Sequence, residues 1–171
     1  MSILNVGTVQ ASTISSSTGT AALTIDTSGR VLRSNVPAFD AVLTTTTGSS
    51  QFLTANTEIV FNSVNLNDGS HFNTTTGRFT APIAGKYMFC IFGMASSTAA
   101  WYDIRVNGAL RTFKHSTYST QSVAGEWAQS CENTIISLSL GDYVSVFTGG
   151  TTGGIYGGGN NHNGFCGYLI G

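Results

Sequence analysis

Charge is what this sequence has least of. Seven Lys and Arg and eight Asp and Glu make up 9% of its 171 residues, against roughly 25% in an average soluble protein. The cations are scattered, the closest pairs being Arg30/Arg33 and Arg111/Lys114, and the formal net charge is −1. That excludes the clustered basic surface through which proteins hold phosphate backbones or anionic lipid heads. Neither nucleic acid nor a membrane is an expected partner. No apolar run approaches the ~18–20 residues that a membrane span needs. Met1–Gln10 has neither a basic start nor a long apolar stretch, so it does not read as an export signal and synthesis in a cytoplasm is expected.

Other scarcities narrow the fold. There are two prolines, Pro37 and Pro82, both outside the expected central strands. No window places apolar residues at helical 3.6 spacing. The three cysteines, Cys90, Cys131 and Cys166, are odd in number, far apart and never in a CxxC spacing, which favours buried free thiols over a disulfide.

Reactive constellations are also lacking. His71, His115 and His162 fall in different segments without metal-ligand spacing. The acids Asp40, Glu58, Asp68, Asp103, Glu126, Glu132 and Asp142 are isolated, so no carboxylate pair for glycoside chemistry is expected. Asn65-x-Asn67-Asp68-Gly69 has the look of a calcium loop, but Val64 stands where a ligand should open it and no Glu closes it. The glycine-rich stretch Gly149–Asn163 lacks the Lys-Ser/Thr of a phosphate cradle. The expectation is a protein that is no enzyme, with no catalytic residue, metal or cofactor.

What remains is abundant Ser, Thr, Gly and Asn around a hydrophobic fraction of 41%. A surface of uncharged hydroxyls and amides repels its own copies weakly, so oligomerisation or burial in a larger assembly is expected. The first aromatic residue is Phe39, and from there Phe, Tyr and Trp recur to the end. This shift divides the chain into an extended N-terminal arm, residues 1–36, and a head, residues 37–171.

The arm has short alternating runs, Leu23-Thr-Ile25 and Arg30-Val31-Leu32, around the turn signal Asp26-Thr-Ser-Gly29. So few apolar residues cannot enclose a core against a backbone entropy of about 1–2 kcal/mol per residue. Its apolar side chains Ile3, Leu4, Val6, Leu23, Ile25, Val31 and Leu32 are therefore candidate contacts with a neighbour.

In the head, short β-branched and aromatic runs alternate with turn clusters. Strands are expected at residues 38–43, 58–62, 78–81, 85–94, 102–106, 110–115, 128–138, 143–148 and 164–170. Asn107-Gly108 between two of them calls for a type I′ hairpin. The outcome is an all-β sandwich of two sheets. Gly149–Asn163 reads as a long exposed loop, either with Ile155, Tyr156, Asn160, Asn161 and His162 as candidate receptor contacts or as a spacer at the apex of the head. Trp101-Tyr102 and Trp127 read as core or subunit-interface residues rather than sugar-stacking platforms.

Phe39, Val60-Phe61-Asn62, Phe72, then Thr76-Gly77-Arg78-Phe79, Pro82, Gly85, Tyr87 and Phe89 form a spaced pattern. With Leu138-Ser-Leu140-Gly141-Asp142-Tyr-Val144 and the closing Phe165-Cys-Gly167-Tyr-Leu169, it resembles the globular heads of complement one-q and tumour necrosis factor relatives. The resemblance runs from Phe39 to the C-terminus and implies a jelly-roll head that forms a homotrimer through aromatic and aliphatic side chains. Residues 22–31 with Pro37-Ala-Phe39 are similar to segments preceding such heads in structural proteins of tailed bacteriophages, and no Gly-X-Y shaft is present. That likeness implies a virion protein made in the host cytoplasm. One such role is capsid decoration or cement, with the arm on the major capsid protein. Its rival is the receptor-binding tip of a tail or head fibre, with the arm on the fibre base and a host surface glycan as ligand.

Overall fold

The computed structural model describes residues 11–19, 21–33, 35–44, 51–53, 56–95, 99–110, 116–120, 128–149, 153–155 and 162–171. The chain divides into two compact units, Met1–Val36 and Pro37–Gly171. Among the described residues every regular element is a strand.

The first unit is folded back on itself rather than drawn out as a single extended arm. Strands β1 (Thr13–Ser15), β2 (Ala21–Ile25) and β3 (Val31–Leu32) form an antiparallel meander. The turn from β2 to β3 is held by Asp26, whose carboxylate accepts from the backbone N–H of Ser28 and Arg30 and from the Arg30 side chain. Gly29 supplies the left-handed backbone there, at φ 78°. Pairing the backbone in this way satisfies polar groups that an extended arm would leave to water.

The second unit is a two-sheet sandwich. Its strands are β4 (Ala38–Val42), β5 (Gln51–Leu53), β6 (Ser63–Asp68), β7 (Phe72–Asn73), β8 (Arg78–Thr80), β9 (Gly85–Ala95), β10 (Ala99–Val106), β11 (Ala109–Leu110), β12 (Ser116–Thr120), β13 (Ala128–Leu138), β14 (Tyr143–Thr148), β15 (Gly153–Ile155) and β16 (Gly164–Leu169). One sheet runs β11-β10-β14-β8-β7, with β12 also on β10. The other runs β5-β15-β9-β16-β4-β6, with β13 along β9. Every pairing is antiparallel.

Alternation along each strand sends one set of side chains between the sheets. Phe72, Phe79, Tyr102, Ile104, Val144 and Val146 come from the six-stranded sheet and Phe39, Tyr87, Phe89, Ile91, Ile136 and Phe165 from the seven-stranded one, all buried. Phe39 sits at the centre, stacked on Phe72 at 4.8 Å and Phe79 at 5.0 Å and edge-on to Phe165 at 4.9 Å. Gly77 is forced by this packing: its φ is +72°, and a Cβ there would lie 2.5 Å from the Ile59 carbonyl oxygen.

Two local expectations change. Residues 58–62 make only an isolated bridge, Glu58 to Phe147, and the strand forms one step later as β6. Its polar residues suit an edge strand, and pairing with β4 overrides their weak propensity. Asn67 then closes the following turn by accepting from the Phe72 N–H and donating to the Phe72 carbonyl. Within the glycine-rich stretch, Gly153–Ile155 is not exposed loop but strand β15, paired with β5 and, at Ile155, with Ala95 of β9. Backbone pairing needs no side chain, so composition hid it. The Asn107-Gly108 hairpin is as expected, with φ of 52° and 75° and Val106 opposite Ala109.

Truncating Phe79, which is fully buried between the sheets, to alanine should cost about 3–5 kcal/mol of stability. Urea unfolding of Phe79→Ala checks this; a loss below about 1 kcal/mol would mean that the sheets do not depend on this contact.

Candidate functional site

The two sheets present opposite chemistry on their outer faces. On the six-stranded sheet the outward residues include two arginines, each stacked on an aromatic ring and facing an acid. Arg78 donates to both Glu58 carboxylate oxygens at 2.7 and 2.8 Å and lies over the Tyr143 ring at 4.4 Å. Arg105 lies over Phe147 at 4.0 Å, donates to the Asn56 side-chain oxygen and has Asp103 at 3.7 Å. Arg78 is matched by Glu58, while Arg105 keeps a buried Nε without a hydrogen-bond partner.

The seven-stranded sheet is different. Register places Ile135, Met88, Tyr168 and Ala38 in one row across β13, β9, β16 and β4. The next row holds Asn133, Cys90, Cys166, Asp40 and, on β6, Leu66. A third holds Cys131, Phe92, Gly164 and Val42. The Phe92 ring lies over Gly164, where a Cβ would stand. Ile135 is 59% exposed, Tyr168 47% and Leu66 44%. Apolar side chains dominate the rows on β13, β9 and β16, while Asp40 lies between Cys166 and Leu66 and Asp68 follows Ala38 on β6. Clustered apolar exposure of this kind is what contact surfaces show, whereas single exposed side chains such as Leu140 are ordinary.

The thiols meet on this face. Cys90 and Cys131 sulfurs are 3.3 Å apart and all three cysteines are free. Burial pushes the Cys90 thiol up to about 12, and burial also raises that of Cys166. Cys131 is exposed rather than buried, which corrects the expectation for that residue.

The sequence candidates fall elsewhere. In the meander, Ile14, Leu23, Ile25 and Val31 share a face by register, Leu32 lies on the other, and Ile14, Ile25, Val31 and Leu32 are exposed. Ile3, Leu4 and Val6 lie outside the described residues, as do Tyr156, Asn160, Asn161 and Trp127. Ile155 is the last residue of β15 and His162 is half-buried just before β16, and residues 156–161 between them lie outside the described residues. The outer-face row was missed because its members are distant in sequence. Alternation through β9 and β16, which puts Met88 and Tyr168 opposite the core phenylalanines, was the available signal.

Comparison with known proteins fits this geometry. Residues 38–170 match the family model of the C1q domain. The chain belongs to the C1q domain family. It is 30% identical over 123 residues to mouse complement C1q tumor necrosis factor-related protein 3, covering 71% of this chain and 48% of that protein. It is 28% identical over 120 residues to rat complement C1q tumor necrosis factor-related protein 5, covering 68% and 47%. The chain thus spans about half the length of these curated relatives. Among solved structures, the globular domain of zebrafish complement 1qA superposes at a TM-score of 0.60 with 19% identity, over 80% of this chain and 98% of that one. Eiger TNF from S. frugiperda gives 0.60 with 9% identity, over 79% and 92%. C1q and TNF-like domains commonly form homotrimers.

Arg78 holds the Glu58 carboxyl below its ordinary value of 4.5, chiefly by hydrogen bonding. A carboxyl whose value is lowered by folding stabilises the fold above its unfolded value, and that contribution disappears as pH falls through the folded one. Melting temperature should therefore drop on acidification below about pH 4.5, and Glu58→Gln should flatten part of the drop. Thermal unfolding across this range checks it; identical profiles for both proteins would contradict it.

Proposed function

We propose that this protein is a homotrimeric C1q-like binding and assembly head without catalytic activity, carried on an N-terminal segment that attaches it to a larger structure. The observation that carries the reading is the apolar outer face of the seven-stranded sheet, centred on Ile135, Met88 and Tyr168. An antiparallel sheet tolerates water on one face when that face is polar. This outer face has the composition of an interface core, apolar and aromatic with charge at its margins. Identical neighbours about a three-fold axis would cover it in all three copies.

The setting we infer is a bacteriophage virion, with the head as a capsid decoration or cement protein. Three features support it: the likeness of the segment before the head to those in phage structural proteins, the low charge, and the meander with exposed Ile14, Ile25 and Val31. A three-stranded sheet this small cannot bury its own apolar face, which makes the major capsid protein a fitting cover. The function is then mechanical, adding buried surface between capsomers against internal pressure.

Deleting residues through Ser34 tests both levels. The shortened chain should remain a folded trimer and lose binding to capsids. A folded monomer would overturn the trimeric head, and unchanged capsid binding would overturn the role of the N-terminal segment. Immunogold labelling separates decoration from the rival reading, since a fibre tip with a glycan-binding role gives label at one vertex rather than over the shell.

A further inference from the structure

Three cysteines distant in sequence stand on three adjacent strands, all outward. Cys166 on β16 is directly opposite Cys90 on β9. Cys131 on β13 is diagonal to Cys90, because Asn133 faces Cys90 and Phe92 faces Cys131. The Cys90 and Cys131 sulfurs nevertheless touch at 3.3 Å.

This spacing disfavours a bond between the two sulfurs. Diagonal residues of an antiparallel pair have Cα atoms about 7–8 Å apart, while a disulfide usually requires roughly 4.4–6.8 Å. A bridging ion asks for something wider. With metal–sulfur bonds of about 2.3 Å, two sulfurs sharing an ion are at most ~4.6 Å apart. Small side-chain rotations open a 3.3 Å contact into that range without moving the strands.

The number of donors selects the ion. Among the described residues no three His, Cys, Asp or Glu side chains are placed to hold one metal. Zinc requires four ligands and calcium six to eight, so neither fits. A pair of soft thiolates suits a soft monovalent ion that accepts two ligands.

We propose that Cys90 and Cys131 bind one Cu(I) ion between their sulfurs, with Cys166 as a supporting thiol beside Cys90. Binding breaks two S–H bonds, forms two Cu–S bonds and releases two protons, with no change of oxidation state. The three sulfurs belong to one chain, so no ligand has to come from a second copy. Among the described strands β13 pairs only with β9, and Cys131 is exposed, which gives the ion an entry at the sheet edge.

The test is anaerobic titration of the reduced full-length protein with Cu(I), in competition with bathocuproine disulfonate, which strips copper from single thiols. One copper per chain should be retained, with a rise in ultraviolet sulfur-to-copper charge-transfer absorption. Cys90→Ser should abolish retention. Cys131→Ser, a change at an exposed side chain that leaves the fold intact by circular dichroism, should weaken it at least about tenfold. Cys166→Ser should weaken it less. Complete loss of copper from the wild-type protein to the chelator would overturn the proposal, as would a Cys131→Ser variant that keeps copper as tightly as wild type.

Discussion

Phe39 is the ring on which the rest of the head depends. It stacks on Phe72 and Phe79 of the facing sheet and meets Phe165 edge-on within its own. Phe79 in turn contacts Tyr87 and Phe89, and Phe89 stacks on Phe165 at 5.8 Å. Rings this large fill the space between two sheets and set its thickness, each contact adding to its buried area about 0.5–1.5 kcal/mol. Strict alternation follows. Once Phe39, Phe89 and Phe165 point inward, Ala38, Asp40, Met88, Cys90, Cys166 and Tyr168 must point outward.

The core therefore fixes a second surface as well as itself. On the six-stranded sheet that surface carries paired charges, with Arg78 on Glu58 and Arg105 between Phe147, Asn56 and Asp103. The half-exposed Arg78–Glu58 pair adds little stability, whereas Arg105 is buried and keeps its Nε without a hydrogen-bond partner. On the seven-stranded sheet the same alternation exposes a row that water does not solvate well. Membership of the C1q domain family and the apolar row independently support the proposed self-association. The thiols lie on the same face because β13, β9 and β16 bring their outward positions side by side.

Much of the head was legible in sequence because its signals are local. The runs at 143–148 and 128–138 are β-branched and bounded by turn residues, and they form strands with those limits. Asn107-Gly108 carries its backbone conformation in its residue types. What escaped was pairing that depends on a neighbour rather than on composition. Ser63–Asp68 becomes a strand through β4, and Gly153–Ile155 through β5 and β9. The contact face escaped for a related reason. Ile135, Met88 and Tyr168 look like ordinary strand residues until register lines them up. The N-terminal candidates Leu23, Ile25 and Val31 were legible as apolar strand residues, but the turn that folds them into a meander rests on one side chain, Asp26.

Sedimentation equilibrium of the full chain, alongside an Ile135→Glu variant, measures the central claim most directly. The account predicts a wild-type mass three times the 17.9 kDa of one chain. It also predicts that Ile135→Glu, a change at an exposed position, gives a monomer with an unchanged far-ultraviolet spectrum. A wild-type protein that remains at 17.9 kDa, or a trimer indifferent to a charge at Ile135, would contradict it.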